Sequence, residues 1–422
     1  MNKDTLAFLI YCNRLDSNLT QETFAGDANI TRSALVRIEQ GQIKNLDDNS
    51  IANVLGLIGT SISELDTLNA KLNTLLNQLF MGLINNNISI TRTLLETDEI
   101  CSNHRYIIGD INYLLIKYIY CYKKANTTLF KKIDNVLVKA LEFMTHEQLF
   151  IYYDIKGVFH LNNKEFNLAR DYFLQAQYHC TNDYHKSLIK FHLGKSYINT
   201  DDFFNAMESY NAAIDLFSRT LNYQKLLYAK MDIAGIYVRI GDYEKALENY
   251  QLVLDSAFSI KADDTLIASI KRNIAALHMY QGDYETAITA AESSFVYSKE
   301  SSIAYFQIVF SYYMLNDLSK AKYWISQAED NSVDTTSMEM KMIRLINKVI
   351  LKKKDAIDSL IAFLEKNSFT VNKRYKTIIL YLIIEYYLYE AEDLVKANEY
   401  YAILGQTLSS VKVFDKIMKI KA

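Results

Sequence analysis

Arg272 and Asn273 are adjacent side chains whose chemistry suits the recognition of a short peptide. An asparagine amide carries a carbonyl acceptor and N–H donors, so it can pair with both the N–H and the C=O of an extended backbone. The arginine beside it can hold a carboxylate in a bidentate fork, whether that group is an acidic side chain or a free C-terminus. Asp232, one repeat earlier, either counters a basic residue of the same ligand or pairs with Arg272. The pair predicts a site for a linear peptide rather than for a folded surface.

Other polar and aromatic side chains fall on the same helical faces once the chain is divided into hairpins. The residues that we assign to this ligand site are Asn199, Asp232, Arg239, Arg272, Asn273, Gln307, Phe306 and Phe310. Polar side chains that face inward on otherwise apolar helices indicate a ligand. A water-filled space between the helices is the alternative interpretation.

A second group of residues, near the N-terminus, has the pattern of a DNA-binding element. Thr20 precedes a short helix that starts at Gln21, and Thr31 caps a second helix that Gly41 stops. Two short helices joined by a tight turn form a helix-turn-helix. A preceding helix around Leu6 to Ile10 and a following one that starts near Ile51 would complete a small domain over residues 1–66.

The segments LTQETFA and ITRSALVRIEQG resemble the Xre/Cro-type helix-turn-helix family. The resemblance implies that Gln21 contacts the phosphate backbone and that Arg32 and Ser33 read bases in the major groove. It also implies a structural ion pair between Arg14 and Glu39. The full set of DNA-binding candidates is Gln21, Thr31, Arg32, Ser33, Arg37 and Lys44.

The charge of this N-terminal segment disagrees with DNA binding. Residues 1–66 contain five basic and nine acidic side chains, which is five minus nine, a net charge of −4. A polyanion favours a positive surface, although the basic residues other than Lys3 and Arg14 lie in or just after the recognition helix. A domain used for dimerisation or protein contact is therefore the alternative.

The composition predicts an all-α protein. The chain has 422 residues, no proline and only 12 glycines, so little interrupts a helix once it has begun. The net charge of −3 excludes a polyanion-binding surface over the whole molecule. Four dispersed cysteines and the absence of paired histidine ligands predict neither disulfides nor a metal site, and no cofactor. The apolar stretches are too short for a signal sequence or a membrane span, so we expect a cytoplasmic protein.

Hairpins repeat along the chain after residue 145. In IAGIYVRIGDYEKALENYQLVL, residues 233–254, two helical patterns meet at Gly241 and Asp242. The same closing alanine recurs at Ala169, Ala206, Ala246, Ala287, Ala321, Ala356 and Ala397. This resembles the tetratricopeptide family, in which small residues mark the closest approach of the two helices. The terminal proline of that pattern is missing, which leaves the helix ends less sharply fixed.

The helix-turn-helix pattern and the repeats together predict four segments. They are a helix-turn-helix domain at 1–66, a linker helix with degenerate hairpins at 67–144, repeats in a right-handed superhelix at 145–408, and a capping helix at 409–422. Together they resemble the RRNPP family of peptide-sensing regulators. The resemblance implies a homodimer or tetramer that binds operator DNA, with a short signalling peptide in the concave repeat groove and asparagines such as Asn273 and Asn199 on its backbone.

Two other functions compete with this prediction. A protein-interaction scaffold, similar to Rap proteins, would use the repeats to bind a signalling protein and would carry a vestigial head. An enzyme is the third possibility, but no nucleophile with a base, no phosphate-binding loop and no metal cluster is recognisable, so we predict a non-enzyme.

Overall fold

The computed structural model describes residues 3–42, 48–85, 90–299, 301–331, 334–366 and 373–408. Two predictions fall outside these ranges, namely Lys44 as a DNA contact and residues 409–422 as a capping helix. By its contacts the chain divides into two compact units, Met1–Ser196 and Tyr197–Ala422. The predicted boundaries at residues 66 and 144 both lie within the first unit.

The described residues form 22 α-helices and no strand, which confirms the all-α fold class. The first unit contains α1 (Lys3–Asp16), α2 (Gln21–Asp27), α3 (Arg32–Glu39), α4 (Asp48–Leu57), α5 (Ile62–Asn85), α6 (Ile90–Asn103), α7 (Ile111–Lys123), α8 (Thr127–Ala140), α9 (His146–Asn162), α10 (Phe166–Tyr178) and most of α11 (Asp183–Asn199). The second contains α12 (Phe203–Arg219), α13 (Tyr223–Ile240), α14 (Tyr243–Ser259), α15 (Asp264–Gln281), α16 (Tyr284–Ser294), α17 (Ser302–Met314), α18 (Leu318–Asn331), α19 (Met338–Ile350), α20 (Ala356–Lys366), α21 (Lys373–Tyr389) and α22 (Leu394–Leu408).

The seven closing alanines lie on alternate helices, from α10 to α22, and each of them is buried. Helix pairs such as α13 with α14 and α15 with α16 pack against each other as hairpins. A methyl side chain lets two helix axes approach closely, and the aromatic rings of Tyr210 and Tyr250 fill the space beside the alanines. The hairpins predicted from the alanine spacing are therefore the units of the array.

Gly157, on α9, shows how close the helices of one hairpin lie. An added Cβ at this position would meet the ring of Phe173, on α10, at 2.5 Å. Phe173 is fully buried, so its ring cannot move aside at low cost. The hairpin of α9 and α10 needs a glycine at this crossing.

Side-chain caps fix the start of the second helix in several hairpins. Asp202, Asp242 and Asp283 each accept a hydrogen bond from a backbone N–H in the first turn of the second helix of a hairpin. Such caps stabilise a helix by about 1 kcal/mol. These turn residues satisfy exposed backbone donors at the start of the second helices, while the missing terminal proline concerns their other end.

Helices α1 to α3 pack into the first unit rather than standing apart from it. The Asn13 amide donates to the carbonyl of Tyr106 at 2.7 Å, and the ring centroids of Phe8 and Phe143 lie 5.9 Å apart. A Cβ added to Gly109 would lie 2.6 Å from that of Cys12. This N-terminal segment therefore shares a core with residues 105–143.

No helix within the described ranges has the length and the apolar composition needed to cross a lipid bilayer.

Candidate functional site

The candidate ligand site lies on the first helices of consecutive hairpins in the second unit. Helix α15 packs against α13 on one side and α17 on the other. From Leu266 to Tyr280 every residue of α15 is buried or half-buried, whereas α14 has an exposed face that includes Glu244 and Glu248. A polar side chain on α15 is thus partly removed from water, which strengthens its interaction with a ligand.

Arg272 has only part of its hydrogen-bonding capacity satisfied. Its Nη2 donates to Ser269 Oγ at 3.0 Å, but its buried Nη1 has no hydrogen-bond partner among the described residues. Burial lowers the pKa of this guanidinium, and Tyr228 on α13 opposes that shift. The alternative in which Asp232 pairs with Arg272 is not observed. A buried donor without a partner costs free energy, which an incoming acceptor would recover.

Asn273 and Gln307 both lie next to Arg272, the first in the chain and the second through a hydrogen bond. Asn273 is half-buried, and its amide makes no hydrogen bond within the described part of the chain. Gln307, on α17, was predicted to contact the ligand, but it is only 1% exposed and so does not line an open surface. Its Nε2 donates to the backbone carbonyl of Arg272 at 2.8 Å, while its buried Oε1 has no partner in the described ranges. Arg272 and Gln307 thus each keep one buried polar atom without a partner within the described ranges, next to the half-buried Asn273.

Asp232 and Arg239, both on α13, contact neighbouring helices. Burial raises the pKa of Tyr210, and the negative charge of Asp232 adds to this effect, while Arg239 opposes it. Arg239 Nη1 also donates to the carbonyl of Ile198 at 2.7 Å and lies 3.5 Å from Asp201. Much of the capacity of Arg239 is therefore used inside the protein.

Asn199 is exposed at the end of α11. It remains a candidate ligand contact.

Phe306 and Phe310 correct the predicted site. Both were expected to line an open groove, but both have 0% exposure and belong to the core formed by α15, α17, α19 and α21. Arg374, on α21, covers this region, because its guanidinium lies 5.8 Å from the ring centroid of Phe306 and 5.5 Å from that of Tyr280. The alternation of aromatic and polar residues could not reveal that a helix about 70 residues later would bury these rings.

Asp154, on α9, and His192, on α11, contact each other. His192 Nδ1 lies 2.7 Å from Asp154 Oδ1, and Asp154 is 2% exposed. A buried carboxylate requires such a partner, so this pair stabilises the first unit.

The candidate nucleic-acid interface is the exposed start of α3. Thr31, Arg32 and Ser33 are exposed, and the Thr31 hydroxyl accepts from the N–H of Ala34, which makes Thr31 the cap of this helix. Arg32 and the half-buried Arg37 have no ion-pair partner within the described residues. A helix start with free N–H groups and an unpaired arginine suits a phosphate or a base edge.

Glu39, at the end of α3, accepts hydrogen bonds from two side chains. Arg14 Nε lies 2.5 Å from Glu39 Oε1, which confirms the predicted pair, and both residues are buried. Gln21 Nε2 also donates to Glu39 Oε2 at 2.8 Å. The amide that was predicted to bind a phosphate is therefore held by a carboxylate at the end of α3, although Gln21 remains partly exposed.

The comparisons agree on the fold. A family model for the tetratricopeptide repeat matches residues 189–219. No curated protein is similar in sequence. A Rap protein in complex with Competence and Sporulation Factor superimposes with a TM-score of 0.65 at 16% identity, over 81% of this chain and 98% of the other.

Two further solved structures share this architecture. NprR in complex with its cognate peptide NprX gives a TM-score of 0.59 at 18% identity, over 81% of this chain and 99% of that one. Aspartyl phosphate phosphatase F from Bacillus subtilis gives 0.56 at 18% identity, over 80% and 93% of the two chains. At such identities the likeness shows a shared fold.

Proposed function

We propose that the protein is a cytoplasmic, homodimeric transcription regulator that binds DNA through α3 and is controlled by a short peptide on α13, α15 and α17. The observation that carries the ligand part is the half-buried pair of Arg272 and Asn273, in which Arg272 Nη1 has no hydrogen-bond partner among the described residues. A peptide backbone supplies N–H donors and C=O acceptors at fixed spacing. NprR, which shares the fold, is solved with a cognate peptide, and this supports a peptide as the ligand.

The DNA part rests on the exposed start of α3. Glu39 is the acidic residue at the end of the recognition helix, α3, and Arg14 compensates its charge. Glu39 therefore repels a phosphate less than its sequence position suggests. A dimer presents two copies of α3, and the two copies together reach useful affinity even where one is weak. Peptide binding would act by changing the separation of the two copies, to the extent that the peptide prefers one arrangement.

The second candidate is a scaffold that binds a signalling protein. The hydrogen bond from Gln21 to Glu39 favours it, because this amide is then engaged inside the protein. The excess of acidic residues in 1–66 favours it as well. We assign no catalytic role, although one protein of the same fold is named a phosphatase.

Replacing Arg32 with alanine tests the DNA contact. The full chain is titrated against duplex DNA from the region upstream of its own gene, with fluorescence anisotropy as the readout at several salt concentrations. We expect Arg32→Ala to weaken specific binding by about 1–3 kcal/mol, because a base or phosphate contact is lost. Arg219→Ala removes an exposed arginine at the end of α12 and should bind like the parent chain. A parent chain that shows no salt-dependent binding would support the scaffold.

Replacing Asn273 with alanine tests the peptide contact. Parent and variant are purified from the native host, and co-purifying oligopeptide is measured by native mass spectrometry and then retitrated as a synthetic peptide by calorimetry. We expect Asn273→Ala to weaken binding by about 1–3 kcal/mol, since it leaves backbone groups of the peptide unpaired. Asn211→Ala, at an exposed position of α12, is the matched control. Equal affinities of Asn273→Ala and the parent chain would remove Asn273 from the site.

A further inference from the structure

A pocket of about 500 Å³ lies in the second unit, away from Arg272 and Asn273. Its walls are the ends of α17, α19 and α21 and the start of α20. Val349, Ile357, Leu360 and Leu382 contribute apolar side chains to it. We call it the lysine-rimmed pocket, because Lys352, Lys353 and Lys354 follow one another along its edge. Its volume is in the range of sites that hold small organic ligands.

The acidic side chains of this pocket already have partners. Glu385 Oε2 accepts a hydrogen bond from the Tyr313 hydroxyl at 2.6 Å, and Oε1 accepts from the Tyr381 hydroxyl at 3.3 Å. Glu390 lies 3.5 Å from Lys352 Nζ in an exposed ion pair. Hydrogen bonds to a carboxylate disperse its charge, so Glu385 repels an anion less than a bare carboxylate would.

Lys353 and Lys354 are the charges of the rim that remain unused. Both side chains are exposed, and within the described ranges neither makes a hydrogen bond or an ion pair. Their backbone follows the end of α19, and the N–H of Lys353 donates to the carbonyl of Lys348, which holds the start of this turn in place. The pocket thus combines an apolar interior with an unmatched positive edge. Such a site complements a ligand with an apolar body and a negative end.

We propose that the lysine-rimmed pocket binds a small amphiphilic carboxylate. The apolar body of the ligand packs against Ile357, Leu360 and Leu382, and its carboxylate lies between the ammonium groups of Lys353 and Lys354. Two sources share this chemistry, namely a free medium-chain acid and the C-terminal apolar residue of an oligopeptide. The pocket is formed by other helices than the Arg272 and Asn273 site, so the proposal does not depend on that site.

Two acids and their neutral counterparts test this assignment on the full chain. The probes are octanoate and N-acetyl-leucyl-phenylalanine, each compared with its primary amide, and saturation-transfer NMR with titration measures binding. We expect at least one acid to bind about tenfold more tightly than its amide, which corresponds to about 1.4 kcal/mol. Binding of octanoate alone indicates a free acid, and binding of the dipeptide alone indicates a peptide C-terminus. Acid and amide that bind equally, or no binding of either acid at millimolar concentration, would overturn the proposal.

Three variants locate the binding. The double variant K353Q/K354Q should weaken the acid about tenfold and leave the amide unchanged, because only the charge contact is lost. The double variant K230Q/K261Q removes two exposed lysines of the same unit and should have no effect. Ile357→Trp fills the pocket and should abolish binding. The lysine variants change only exposed side chains, so they test the assignment even if Ile357→Trp does not fold. Unchanged acid binding in K353Q/K354Q would contradict the assignment.

Discussion

Two arginines on neighbouring helices illustrate how a single side chain reveals a ligand site. Arg239 donates to the carbonyl of Ile198 and lies near Asp201, so its charge is compensated within the fold. Arg272 has one partner, Ser269, and a buried Nη1 without any in the described part of the chain. A polar group whose hydrogen-bonding capacity is incompletely used in the free protein can form a hydrogen bond with a ligand.

Replacing each arginine with methionine should change stability in opposite directions. Arg272→Met removes an incompletely paired buried charge and keeps the chain length, so we expect the free energy of unfolding to rise by about 1 kcal/mol. Arg239→Met leaves the carbonyl of Ile198 and the carboxylate of Asp201 without this partner, so it should lower the free energy of unfolding by about 1 kcal/mol. Differential scanning calorimetry of the ligand-free chain measures both changes. A lower melting temperature for Arg272→Met would mean that this guanidinium stabilises the fold rather than awaiting a ligand.

The two helices of a hairpin pack more closely at one glycine than at another. Gly157 on α9 leaves room for the ring of Phe173, whereas Gly235 on α13 has only the hydroxyl of Tyr250 nearby, 3.5 Å from an added Cβ. Both glycines lie on the first helix of a hairpin, but only Gly157 is required by its neighbour. The same substitution at both positions therefore separates crowding from helix propensity.

We expect Gly157→Ala to lower the free energy of unfolding by about 1–3 kcal/mol, because the new methyl group overpacks the hairpin of α9 and α10. Gly235→Ala should raise it by about 0.5–1 kcal/mol, since alanine favours a helix and meets ordinary contact distances. Urea unfolding followed by circular dichroism gives both values. If both variants were equally stable, the close approach at Gly157 would not describe the protein in solution.

At the scale of the whole molecule, the N-terminal helices are part of the first compact unit. Asn13 donates to the carbonyl of Tyr106, Phe8 packs near Phe143, and α1 leaves no room for a side chain at Gly109. Phe8 is 1% exposed and Asn13 is 9% exposed. A reading head tethered by a flexible linker would not bury these groups against later residues. Any ligand-driven movement of α3 therefore carries residues 105–143 with it.

Deleting residues 1–47 tests this arrangement. The deletion uncovers Tyr106, Ile107 and Phe143, so we expect a lower melting temperature for the remaining chain and binding of a hydrophobic dye. The full-length Arg32→Ala variant changes only an exposed side chain and should melt like the parent chain. A truncated chain that melts at the parent temperature and binds no dye would show that α1 to α3 form an independent domain.

Local patterns in the sequence were sufficient for the helices and their hairpins. The absence of proline, the caps at Thr20 and Thr31 and the period of the closing alanines each act within a few turns of helix, so they could be read without the fold. The pair of Arg14 and Glu39 was also predictable, because the resemblance to a known helix-turn-helix family carries it.

Contacts between residues far apart in the chain decided the rest. Arg374 and the helices around it bury Phe306 and Phe310, and Glu39 holds Gln21 as well as Arg14. The sequence by itself determined which residues form helices and which faces of them are apolar, because helical periodicity is local. Only the tertiary structure decided which polar groups on those faces remain unpaired, because a partner can come from any distance along the chain.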